Sequence, residues 1–279
     1  MNGITLLAQR TGRVVHQLLF SPYLTPRRLL NTALVRLHEH FRLERIRAYP
    51  EILLVEATNS CGATCRLCPV GEGRHARPAT TLEMSTYRRF IDELAPYAQK
   101  VHFHNWGDPL VDKHLVDKIR YAHDRKLVTY VATNLYNLTP AHARELVLSG
   151  LDELSVSIHA TSSQTYQAYQ PGRSFERVVR NIELLVSARR AEGMSTPAIT
   201  LTFVRTRKNQ HEAAHLTEFA NSLGVERTSV YDVSLNSRFL WSDTEMEDRH
   251  LSESGFLAEV RQRAEEWLTD EQRQHFDPS

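Results

Sequence analysis

The chain has 279 residues, 41% of them apolar and 24% charged, enough for one large α/β domain or two small ones. This is ordinary globular composition and not that of a disordered chain. With 34 basic and 33 acidic side chains the net charge is only +1, which gives no overall attraction for nucleic acid.

The charge is unevenly spread. Residues 1–50 hold eight Arg against Glu39 and Glu44, a net of +6, whereas residues 241–279 hold eleven acids against four Arg, a net of −7. No apolar run approaches the ~18 residues of a membrane span. Arg10 and Arg13 interrupt the first apolar stretch, unlike a signal peptide, so the expected location is the cytoplasm. The only three cysteines fall within eight residues. An odd, clustered set argues for metal or cluster ligation in a reducing compartment and against a disulfide framework.

Residues 1–49 read as a basic helical extension, with Leu30, Leu34, Leu37 and Phe41 at helical spacing. The favoured expectation is a helical cap packed on the main domain; the alternative is a peripheral contact with anionic lipid or a partner. From residue 50 to 240, strand and helix alternate. Ile52–Ala57 is a strand, Thr81–Tyr97 a helix, Lys100–Asn105 a strand, His114–Arg125 a helix and Leu127–Thr133 a strand. The next helix has Thr139 as N-cap, Pro140 in its first turn and Gly150 as its stop. Glu153–Ile158 is a strand, Ser174–Ala191 a long helix, Ala198–Val204 a strand, Glu212–Leu223 a helix and Glu226–Val233 the sixth strand. Residues 241–279 form an acidic helical segment in which Phe256, Leu257, Val260, Ala264 and Trp267 mark a closing helix. Six βα units predict parallel strands with right-handed crossovers, a partial (β/α)6 barrel whose chemistry lies at the C-terminal strand ends. The long irregular segment 69–82 is expected to wrap a site.

Just past the first strand stand Cys61, Cys65 and Cys68, spaced C-x3-C-x2-C. Soft thiolates suit an iron–sulfur cluster or zinc. A structural zinc needs a fourth ligand, such as His75, whereas a cubane held by three cysteines leaves one iron open. This motif resembles the hallmark of the radical S-adenosylmethionine (radical SAM) superfamily, in which an apolar residue, here Leu67, precedes the third cysteine. The resemblance implies that the three thiolates hold a [4Fe–4S] cluster, that S-adenosylmethionine chelates the fourth iron, and that Leu67 lies near its adenine.

Further resemblances fall at later strand ends. Gly107-Asp108-Pro109-Leu110 stands where the superfamily has Gly-Glu-Pro-Leu, which implies that Gly107 and Asp108 bind the methionine moiety. Asp reaches less far than Glu. Thr133-Asn134 is similar to Thr-Asn-Gly, and Asn134 either bonds the cofactor or satisfies turn backbone. Ser157 is implied as a cofactor contact. By strand alternation Ser155, Ser157 and His159 share one face, and His159 is the candidate for moving a proton, or else a hydrogen-bonding support. Tyr166, Tyr169, Gln170, Gly172, Arg173 and Phe175 resemble a pattern in which an Arg contacts the cofactor carboxylate. Gln170 takes the usual Arg position and Arg173 is the candidate substitute.

The resemblance spans about residues 50–235 and is nearest to radical SAM proteins that carry a SPASM extension. No cysteine follows Cys68, so auxiliary clusters are not expected. It implies reductive cleavage of S-adenosylmethionine to a 5′-deoxyadenosyl radical, a reductant of ferredoxin or flavodoxin type, and a peptide or small-metabolite substrate. His102, His104, Trp106, Arg205 and Tyr231 are further candidates for the barrel lumen. Two other readings stay open: a non-catalytic accessory protein that keeps the cluster, and a zinc-binding interaction module.

Overall fold

Short aliphatic segments bounded by turn residues build six strands: β1 (Ile52–Val55), β2 (Lys100–Phe103), β3 (Val128–Thr133), β4 (Glu153–Ser157), β5 (Ala198–Arg205) and β6 (Arg227–Asp232). They form one all-parallel sheet in chain order, open at β1 and β6. The computed structural model describes residues 23–73, 77–233, 253–274 and 276. His75, Phe256 and Leu257 thus lie outside what is described of side chains. The expected partial barrel is the observed architecture.

The helices are α1 (Pro26–Phe41), α2 (Met84–Leu94), α3 (Leu115–Asp124), α4 (Pro140–Val147), α5 (Ser163–Tyr169), α6 (Phe175–Ala191), α7 (Leu216–Ser222), α8 (Glu253–Trp267) and α9 (Asp270–Gln274). Strand alternation puts Val101, Phe103, Val131, Val156, Leu201 and Phe203 on one face, fully buried in a single core with Tyr87, Ile91, Ile119, Leu146, Ile182 and Leu185 of the helices. The other face is polar. Lys100 pairs with Glu153 at 2.6 Å, and His102 lies against Tyr130 with ring centroids 4.6 Å apart. Among the described residues no helix is long and apolar enough to cross a membrane.

Caps end the helices much as their sequences imply. Thr139 accepts from the His142 amide and Ser174 from the Arg177 amide. α4 stops at Val147, and Gly150 turns the chain into β4 with φ 82°. Any Cβ at Gly150 would sit 2.4 Å from the His123 ring. Two features differ from the sequence reading. A short helix, α5, interrupts the β4–α6 connection, capped by the Ser162 hydroxyl on the Thr165 amide. The expected Glu212–Leu223 helix begins instead as a 3-10 turn, Gln210–His215, because the buried Glu212 accepts from the Thr161 amide and Ser162 hydroxyl.

α1 corrects the expectation more deeply. It does cap the domain, but with its polar face inward. Arg28, 2% exposed, donates to the carbonyls of Ala95, Tyr23, Lys126 and Arg125. Asn31 bonds both ways with Tyr49 and also reaches the Tyr97 carbonyl, and Thr32 donates to Glu51. The Tyr49 carbonyl lies just before β1, those of Ala95 and Tyr97 before β2 and those of Arg125 and Lys126 before β3, so α1 sits at the N-terminal end of the sheet. Leu30, Leu37 and Phe41 face solvent.

Candidate active site

At the opposite end of the sheet, the chain leaves β1 and enters the cysteine loop. Thr58 and Asn59 fix its root. The Asn59 side chain donates to the Pro78 carbonyl and accepts from the Thr80 amide, and Thr58 bridges to Thr81 in antiparallel fashion. Residues 78–81 therefore pair with the start of the cysteine loop. Cys61, Cys65 and Cys68 follow, each half-buried, with Leu67 half-buried between the last two. The Cys68 amide bonds the Cys65 carbonyl at 3.3 Å, and the Glu72 amide bonds the Cys68 carbonyl at 2.9 Å. Gly71 packs directly on this turn, where a Cβ would lie 2.5 Å from the Cys65 nitrogen. From the far side, α8 holds the same loop, as Arg263 pairs with Glu72 at 2.9 Å.

Gly107 and Asp108 come from the loop after β2. A Cβ on Gly107 would lie 1.9 Å from the Thr58 carbonyl oxygen, so only glycine fits. The Asp108 amide donates to the Ser60 carbonyl at 2.9 Å. The Asp108 carboxylate is 3% exposed and fully engaged: it accepts from the Thr133 hydroxyl, the Asn134 amide and the Leu110 amide, all at 2.8–2.9 Å. Burial raises its pKa, and these donors oppose the shift. Asp108 therefore ties the β2 and β3 loops together. Its shorter reach relative to Glu suits it to this internal role.

Asn134, just past β3, connects that tie to the cysteines. Its side-chain amide donates to the Cys61 sulfur at 3.4 Å, while its oxygen accepts from the Tyr136 amide at 3.0 Å and from Arg173 at 3.5 Å. Arg173 is buried, stacked 4.1 Å from the Tyr136 ring centre, and donates to the Gly62 carbonyl inside the cysteine loop. Gly107, Asp108, Asn134, Arg173 and Cys61 thus form one bonded set drawn from four loops. Thr133, Gly62 and Tyr136 belong to it as well; Thr133 stood in the Thr133-Asn134 motif without a role of its own, and Gly62 and Tyr136 were not singled out from sequence. Only their adjacency to the motif residues could have flagged them.

The donor set fits an iron–sulfur cluster. Burial, then Asp108, pushes the Cys61 thiol up to about 11, and burial plus the other two cysteines pushes Cys65 up as well. Among the described residues no three His, Cys, Asp or Glu side chains are grouped tightly enough to hold one metal ion, so it is the soft chemistry and the spacing of the three thiols on one loop that suit a cluster. The Asn134 amide aimed at a sulfur is the kind of bond that tunes such centres.

The family described as the Radical SAM superfamily matches residues 55–216, more than half of the chain. The chain belongs to the radical SAM superfamily. It is 29% identical over 184 residues to an AdoMet-dependent heme synthase of Methanosarcina barkeri, covering 65% of this chain and 50% of that protein. It is also 29% identical over 185 residues to a PqqA peptide cyclase of Ruegeria pomeroyi, covering 65% and 46%. The chain spans about half the length of these curated relatives. Among solved structures, Streptococcus suis SuiB bound to S-adenosylmethionine superposes with a TM-score of 0.58 at 15% identity, over 73% of this chain and 44% of that one. That likeness is one of fold.

Two remaining candidates of this radical SAM chain sit beside β5. Ser157 ends β4 half-buried, in register with Thr202, next to the Ser155–Thr202 hydroxyl pair. His159 does not continue the strand alternation. It lies beyond β4 with φ 55°, buried, so the shared face with Ser155 and Ser157 stops at Ser157. Its Nδ1 accepts the Val204 amide at 3.0 Å, its carbonyl accepts from Asn209, and its ring meets Tyr169 edge-on at 4.9 Å. Burial lowers its pKa to about 4, so it is neutral at physiological pH. Its Nδ1 is committed to the Val204 backbone amide, an arrangement that matches the supporting one of the two roles weighed for it from sequence. Arg205, a lumen candidate, is instead paired with Asp232 at 2.7 Å and Glu271 at 3.4 Å. Gln170, in the usual Arg position, accepts from the Tyr166 hydroxyl at 2.9 Å.

Proposed function

We propose that Cys61, Cys65 and Cys68 hold a [4Fe–4S] cluster, that S-adenosylmethionine binds beside it, and that the protein is a radical enzyme acting on a peptide or small metabolite. The single observation that carries this reading is the Asn134 amide bonded to the Cys61 sulfur, at the centre of a set that includes Gly107, Asp108 and Arg173. When bound, the pair supplies one-electron cleavage of S-adenosylmethionine and a 5′-deoxyadenosyl radical that takes a hydrogen atom from substrate.

The chain's own residues bind and orient. Gly107 lets the turn lie against the cysteine loop, leaving its backbone groups for the methionine moiety. Asp108 fixes that turn. Leu67 offers apolar surface for the adenine, and Asn134 and Ser157 offer polar atoms to the rest of the nucleoside. Arg173 holds the Gly62 carbonyl and so sets the cysteine spacing. His159 shapes the wall through Val204 and Tyr169. The catalytic unit is residues 50–240, and the electron donor is a ferredoxin- or flavodoxin-type protein. Peptide is a candidate substrate because one curated relative is a peptide cyclase.

The test is anaerobic reconstitution with iron and sulfide, then dithionite and S-adenosylmethionine. The expected outcome is four irons per chain and 5′-deoxyadenosine by chromatography, with both lost in Cys65→Ala. A cluster without product points to an accessory role, and bound zinc without iron points to an interaction module. Either result overturns the proposal.

A further inference from the structure

Helix α1 is inside out. Its polar side faces the domain: Arg28, Asn31 and Thr32 are 2–4% exposed. Its apolar side, Leu30, Leu37 and Phe41, is 62%, 45% and 61% exposed. The helix ends with Arg42 in the left-handed region, its amide on the His38 carbonyl, and the Arg47 amide then bonds the His38 ring at 3.1 Å. These bonds fold the exit segment back along the helix and leave Leu43 and Ile46 45% and 74% exposed. Five large apolar side chains thus face water on one short stretch, far beyond the scatter of single exposed residues normal for a surface.

The charge around this stretch is predominantly positive: residues 1–50 hold eight Arg against Glu39 and Glu44, a net of +6. No acidic residue precedes Glu39, whereas Arg10, Arg13, Arg27, Arg28 and Arg36 do, and Arg42, Arg45 and Arg47 follow among Leu43 and Ile46. Arg36 is engaged with Glu39 and Glu51, while Arg27, Arg42, Arg45 and Arg47 are exposed beside the apolar stripe. An apolar stripe bordered by arginines matches the interface of an anionic bilayer, where aliphatic groups enter the acyl boundary and guanidinium groups meet phosphate. A protein partner would need an acidic rim around an apolar groove; a second copy would set arginines against arginines.

We propose that α1 and the segment to Ile46 form a peripheral docking surface for an anionic lipid bilayer. Because α1 sits at the N-terminal ends of the strands, this docking holds the barrel by its base and leaves the cysteine loop facing away from the membrane. Binding therefore does not depend on the cluster or on any reading of the chemistry.

The experiment is sedimentation of the full chain with vesicles, of phosphatidylcholine alone or with about one quarter phosphatidylglycerol. Most of the protein is expected to pellet with the anionic vesicles and little with the neutral ones, and raising salt to about 0.5 M weakens binding at least several-fold. Leu30→Gln/Leu37→Gln/Phe41→Gln lowers the partition coefficient about tenfold or more, with an unchanged melting curve because these side chains support nothing in the fold. Arg45→Gln/Arg47→Gln lowers it less and removes much of the salt dependence. Equal binding to neutral vesicles, full binding by the triple variant, or a dimer dissolved by the triple variant with no lipid binding would overturn the proposal.

Discussion

The two ends of the sheet use the same material for different purposes. At the base, Arg28 spends its guanidinium on four backbone carbonyls, and Asn31 and Thr32 are likewise consumed. At the mouth, Asp108 and Arg173 are equally buried, but the chain of bonds they form ends in an amide on the Cys61 sulfur. A buried ion fully satisfied by backbone fastens an element in place. A buried network that stops at a reactive atom positions that atom. The base should therefore matter for stability and the mouth for ligand chemistry.

The sharpest way to break this distinction is Gly107→Ala. The added methyl overlaps the Thr58 carbonyl, and no rotamer relieves it. Iron retained on reconstitution should fall to background while the far-UV circular dichroism spectrum persists. Normal iron content would mean that the mouth is not built around this contact. At the base, Arg28→Met strands several buried carbonyls and should cost about 3–5 kcal/mol in urea unfolding. The surviving folded protein should take up iron normally; a loss of iron in proportion would erase the contrast between the ends.

A pH series resolves the wall of the mouth. His159 has a folded-state pKa of about 4 against an ordinary 6.5, so the unfolded chain binds the proton more readily. Stability is then full above pH 7 and declines as pH falls from 6.5 toward 4, by on the order of 3 kcal/mol for this group. His159→Gln keeps an acceptor for the Val204 amide and should flatten that decline, read from melting temperatures across the range. The smallest effect belongs to Asn134→Ala. Removing one amide donor from the Cys61 sulfur should make the cluster harder to reduce, by up to about 40 mV. An electrochemical titration showing no shift would place Asn134 with the fasteners of the base.

The sequence by itself determined the alternation of six strands and their helices, because strand and helix periods are written in single residues. It also determined the cysteine spacing and most of the mouth: Gly107, Asp108, Asn134 and Arg173 were legible as motifs at strand ends, though not the bonds among them. Only the tertiary structure decided that Asp108 is turned inward, that Arg173 grips Gly62, and that His159 leaves its strand. It also decided which side of α1 meets the domain. Periodicity fixes how side chains are arranged around a helix, and the stripe from Leu30 to Phe41 reads as a core face on hydropathy alone. Which stripe is buried depends on what waits across the contact. Here that is a row of unpaired carbonyls before β2 and β3, and an arginine satisfies them where leucine cannot.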